Sequence, residues 1–98
     1  MVIYEVTAKV KPERCEEYEQ FMRQDHIPAV LATRMFTSAW FEGSVSGSYR
    51  VRYAAESRSA LDKYFAEFAP ALRDDFNHRF SDGVELSREV WDVLERFA

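Results

Sequence analysis

The chain has 98 residues, 47% apolar and 15% aromatic, which suffices to close a core without metal or disulfide staples and is too apolar for disorder. Seventeen acidic against thirteen basic side chains leave a net charge of −4, which repels a phosphate backbone and argues against nucleic acid as a partner. Cys15 is the only cysteine, no leader opens the chain, and no apolar run approaches the ~20 residues of a membrane span, so the expectation is one cytoplasmic domain over residues 1–98 with neither disulfide, metal pair nor anchor.

Residues Val2 to Val10 alternate, with Val2, Tyr4, Val6, Ala8 and Val10 on one face and Ile3, Glu5, Thr7 and Lys9 on the other, which predicts a half-buried strand. Pro12 suits a first helical turn, Glu13, Glu16 and Glu17 its positive end, and Cys15, Tyr18, Phe21 and Met22 an apolar stripe. A helix is expected from about Pro12 to about Gln24. Asp25-His26-Ile27-Pro28 follows. Proline lacks the amide that would bond back to Gln24, and an unbroken helix would lay Asp25 in the apolar stripe. The expected solution is a break, with Asp25 accepting the Ile27 amide and Pro28 opening a new turn over Ala29 to Ala32.

Met35 to Glu42 reads as a second strand, with Phe36, Ser38, Trp40 and Glu42 opposed by Met35, Thr37, Ala39 and Phe41. Gly43 to Ser48 has the composition of a hairpin loop, and Tyr49 to Ala55 alternates as a third strand. Ser57 is a plausible N-cap for a long helix whose stripe runs from Leu61 to Phe80 and bends or restarts at Pro70. Ser81-Asp82-Gly83 ends it. Val84, Leu86 and Val90 mark a fourth strand whose phase slips near Val90-Trp91, which predicts a bulge. The order is βαββαβ. With right-handed crossovers it builds an α+β, ferredoxin-like protomer, a four-stranded antiparallel sheet carrying both helices on one face.

The other face is left open. Ile3, Glu5, Thr7, Phe36, Ser38, Trp40, Arg50, Arg52, Glu89 and Trp91 are assigned to it, a mixture of aromatics, arginines and acids that suits an interface. The expectation is a homodimer through this face, closing a barrel with a partly polar interior. Tyr49 and Tyr53 share the helix-packed side with Val51, so stacking of RNA bases on the open face is excluded.

Met1-Val2-Ile3-Tyr4-Glu5-Val6-Thr7, Asp25-His26-Ile27-Pro28-Ala29-Val30-Leu31-Ala32-Thr33, Phe36-Thr37, Ala69-Pro70-Ala71-Leu72-Arg73 and His78-Arg79-Phe80 resemble a bacterial family, domain of unknown function 4286, in the dimeric α/β-barrel superfamily. The resemblance covers almost the whole chain. It implies a ferredoxin-like protomer, a dimer and no assigned reaction, within a superfamily that includes cofactor-free monooxygenases, haem-degrading enzymes and plain ligand binders. The family pattern places a glycine after Ala32-Thr33, where this chain has Arg34. Arg34 must then turn the chain out of the helix without glycine's freedom.

Three sets of residues are candidate sites. His26 beside Asp25 could act as a general base, although neighbours on a helix point ~100° apart and the joint reading is preferred. His78, four residues after Asp74 as Arg79 is after Asp75, reads as part of solvated i,i+4 pairs. By analogy with haem-binding relatives it could instead face a pocket. Arg50 and Arg52, with Glu5 on a strand read as parallel and Trp40 on the other side, could line a ligand site, against cross-strand pairing at a dimer interface. No Gly-rich phosphate loop, metal pair or nucleophile triad occurs. The sequence supports a binding or interaction module without cofactor or metal. The alternative is a cofactor-independent monooxygenase, or a haem-using enzyme, acting on a small aromatic or hydrophobic molecule between sheet and helices.

Overall fold

The computed structural model describes residues 1–98, and the strict alternation of the first residues forms β1 (Val2–Val10). Pro12–Arg14 makes a 3-10 turn that runs into α1 (Cys15–Phe21), a π-helical turn over Met22–His26 and α2 (Ile27–Ala32). Then come β2 (Ser38–Gly43), β3 (Ser48–Ala55), α3 (Arg58–Glu67), α4 (Ala69–Arg79) and β4 (Val84–Asp92). The strands form one sheet in the order β2-β3-β1-β4 with every neighbour antiparallel. This is the ferredoxin-like arrangement, with α1–α2 and α3–α4 as its two helical arms. Glu5 and Arg52 face each other on antiparallel strands, which corrects the parallel reading.

Between the helical arms and the sheet lies an aromatic core. Tyr18 packs on Phe76, Phe80 and Tyr49, and Phe21 on Phe76 and Phe80. Leu61, Val30 and Val51 are fully buried beside them. Ser57 caps α3 by accepting the Ala60 amide at 3.2 Å, and the helix restarts at Pro70 as its sequence requires.

Three further expectations are overturned. Asp25 makes no Asx-turn and the helix does not break there. The Ile27 amide bonds back to the Met22 carbonyl, so the turn before Pro28 is widened by one residue. This absorbs the missing proline amide and the pressure of its ring within a continuous helix. Phe36 lies in the core against Tyr64 and Tyr53, at 4.8 and 5.2 Å between rings, because β2 begins only at Ser38 and the alternation does not reach back to it. No bulge occurs in β4: its pairing with β1 is unbroken from Asp92 to Val84. Trp91 simply takes the open face and Val90 the helix face.

Arg34 leaves α2 with φ 65°, while its amide donates to the Leu31 carbonyl at 3.0 Å. The side chain is exposed, and the left-handed conformation costs a non-glycine residue about 1 kcal/mol. Arg34→Gly is therefore expected to stabilise the fold by up to about 1 kcal/mol, read as a higher midpoint in urea at unchanged slope.

Candidate functional site

The wide turn before Pro28 decides where His26 goes. With the extra residue in the turn Asp25 is exposed, while the His26 imidazole lies over the core, 5.5 Å from the Phe76 ring and 5.8 Å from Phe21. Its Nδ1 is buried and has no hydrogen-bond partner. Burial lowers its pKa below the usual histidine value; the nearby Asp75 charge opposes that shift and Arg88 adds to it. His26 is thus neutral at neutral pH. Asp25 does not orient it.

His26 borders a small cavity between the sheet and the helical arms, closed by Tyr4, Tyr18, Tyr53, Tyr64, Phe76, Arg73 and Arg88 among others. Tyr18, Tyr53 and Tyr64 are 1%, 2% and 4% exposed. Two tyrosine hydroxyls are hydrogen-bonded: Tyr49, away from the cavity, donates to Glu19 at 2.7 Å, and Tyr4, in its wall, accepts from Arg73 at 3.4 Å. The hydroxyls of Tyr18, Tyr53 and Tyr64 have no such partner. Burial drives all three phenols upward, Tyr64 to about 12, and the other phenols near Tyr53 raise it further. Buried polar groups are nearly always paired, so the one orphaned atom, His26 Nδ1, marks the cavity beside it as a place built to receive something. The enclosed volume is about 30 Å³, room for a water or two and far below the 300–1,000 Å³ of ordinary ligand pockets.

The other candidates lie elsewhere. His78 is on the exposed side of α4, and Arg79 pairs with Glu17 at 3.4 Å instead of with Asp75. Glu5, Arg50, Arg52 and Trp40 come together on the open face, on the far side of the sheet from His26. The Glu5 carboxylate lies 3.7 Å from Arg52 and 3.8 Å from Arg50 and accepts from the Trp91 indole at 3.3 Å. Arg50 is held mainly by Glu42 at 2.6 Å, and Trp40 stands across the strand from Arg52. These are surface pairs, loose except for the Arg50–Glu42 contact, and they do not enclose a pocket.

Sequence reasoning placed Tyr4, Tyr18, Tyr53 and Tyr64 simply in the apolar face and did not single out Arg73 or Arg88. Two signals pointed to them. Tyrosine at an inward position brings a hydroxyl that must find a partner, which phenylalanine would not. Arg88 falls in the helix-facing phase of β4 with Val84, Leu86 and Val90, where a cation is out of place unless it borders a cavity.

The family model described as "Domain of unknown function (DUF4286)" matches residues 1–94. Among solved structures, the haem-degrader MhuD of Mycobacterium tuberculosis, with two haems bound in its active site, is similar at a TM-score of 0.76 and 20% identity over 100% of both chains. A Deinococcus radiodurans protein provisionally assigned as an antibiotic biosynthesis monooxygenase gives 0.73 and 16%, covering 100% of this chain and 97% of that one. A dimeric ferredoxin-like protein from an uncultured marine organism gives 0.70 and 7%, covering 100% and 99%. At these identities the likeness is one of fold. No curated protein matches the sequence, and no helix is long and apolar enough to cross a membrane.

Proposed function

The chain belongs to the family of domains of unknown function DUF4286, and from that premise we propose that it is a small-molecule-binding protein that works as a homodimer. The observation that carries the binding reading is the cavity itself, lined by Tyr18, Tyr53 and Tyr64 beside the buried, unpartnered His26 Nδ1. The occupant is a small aromatic or hydrophobic molecule with polar groups for those partners. Dimerisation rests on the open face, where Trp40 and Trp91 each remain 48% exposed beside arginines and acids, a composition that favours a partner. The lone thiol of Cys15 suits a reducing cytoplasm.

Haem does not fit this cavity. About 30 Å³ is far too little for a porphyrin, and His78 is exposed on α4, so no part of the proposed function runs through haem. A second reading, cofactor-independent oxygenation, has one observation in its favour. His26 is neutral, and it is the one group at the cavity able to take a proton from a bound phenol at neutral pH, since burial holds the tyrosines protonated.

Titration with phenol and indole, followed by NMR, tests the binding reading. The tyrosine and His26 ring signals at the cavity are expected to shift saturably, and His26→Leu to weaken binding by at least tenfold, or about 1.4 kcal/mol. Shifts confined to the open face would overturn it. Oxygen uptake with a hydroquinone that disappears in His26→Leu would favour oxygenation over binding alone.

A further inference from the structure

The charge around the cavity opposes that of the chain. The protein carries −4, yet the only charged residues bordering the cavity are Arg73 and Arg88, and no Asp, Glu, Asn or Gln borders it. The arginines in ion pairs are Arg14, Arg23, Arg50, Arg52, Arg58 and Arg79; Arg73 and Arg88 have no carboxylate partner. Arg73 makes one hydrogen bond, to the Tyr4 hydroxyl, and stands 5.8 Å over the Phe65 ring. Both guanidinium charges act on Tyr64, and Arg88 also acts on His26, so the two cations belong to the same space as the buried groups.

A guanidinium can only donate, and a protonated phenol has a hydrogen to give. Tyr4, Tyr18, Tyr53 and Tyr64 therefore line, with Arg73 and Arg88, a cavity rich in donors and without a negative charge. Water can satisfy the phenols and the exposed guanidinium groups, but only an anion gains charge attraction from both cations. We propose that the cavity takes a monocarboxylate no larger than benzoate, its charge held by Arg88 and Arg73 and its oxygens accepting from the phenols. The size limit follows from the volume of about 30 Å³, which holds a water or two and takes an acid, from the smallest up to a single ring, only with an outward shift of Arg73 and Arg88, both exposed at the rim. The assignment rests on the cavity being a ligand site and adds the sign of the ligand's charge.

Calorimetric titration of the full chain with acetate, benzoate and benzamide tests it, with phenol as a neutral control. Benzoate is expected to bind at least tenfold more tightly than benzamide, its neutral near-isostere. Arg88→Gln, and separately Arg73→Gln, are expected to remove most of that difference while leaving the melting temperature unchanged. Both side chains lie at the surface, so neither substitution opens a hole in the core. Benzamide binding as well as benzoate, or phenol alone binding, would overturn the carboxylate assignment and leave the ligand site standing. Failure of all four probes to bind would overturn both.

Discussion

Trp40→Glu is expected to convert the proposed dimer, at micromolar concentration, into a folded monomer of 11.5 kDa, measured by light scattering with circular dichroism to confirm the fold. Trp40 stands on β2, near one edge of the open face, and is 48% exposed. If a partner covers the outer half of the ring, roughly 100 Å² per copy, burial at about 25 cal/mol/Å² contributes some 2–3 kcal/mol per protomer, counted twice across a two-fold axis. Glutamate loses that area and places a carboxylate in the interface, next to a face that already holds Glu5, Glu42 and Glu89. Within the protomer the same carboxylate faces Arg52 directly across the strand. The substitution is therefore tolerated by the fold and rejected by the dimer. A wild-type monomer under these conditions would sink the dimer outright, and an undisturbed dimer of Trp40→Glu would move the interface elsewhere.

The register of this face was legible in the sequence because strand alternation carries its own phase. Glu5, Arg50, Arg52, Trp40, Glu89 and Trp91 all fall where period two puts them. Phe36 was misplaced for the same reason in reverse: alternation was extended into residues that are leaving a helix through a left-handed Arg34, where the period has no meaning. The bulge assigned to β4 came from reading the adjacent apolar pair Val90-Trp91 as a slip of phase, when the two simply stand on opposite faces of a regular strand. The cavity was the least legible part. Its tyrosines are apolar enough to satisfy any periodicity, and what marks the cavity is the missing hydrogen bond of His26 Nδ1, a property of the packed chain that residue types do not express. The segment around Pro28 was half legible. Proline chemistry does disturb the helix there, but local rules cannot choose between breaking the helix and widening it by a residue. The packing chooses, because the widened turn buries His26 against Phe76 and frees Asp25.

His26→Leu should then be more stable than the natural chain and worse at its function. A buried polar atom without a partner costs about 1–3 kcal/mol, and leucine fills a similar space between Phe21 and Phe76 without that cost, so a gain within this range is expected in urea unfolding at pH 7. The pH dependence separates removal of the imidazole from a general packing gain. Because burial lowers the folded-state pKa of His26 below its unfolded value of about 6.5, the unfolded chain binds the proton more readily. The contribution of neutral His26 is whole above that pH and is lost as pH falls below it toward the folded value. The natural chain should therefore lose stability from pH 6.5 downward faster than His26→Leu, with the gap between them widening in acid. Asp75, whose charge favours the protonated ring, limits the effect, and Asp75→Asn should enlarge it. If His26→Leu were less stable than the natural chain at pH 7, the imidazole would be a satisfied structural element. The widened turn that buries it would then need no ligand to explain it.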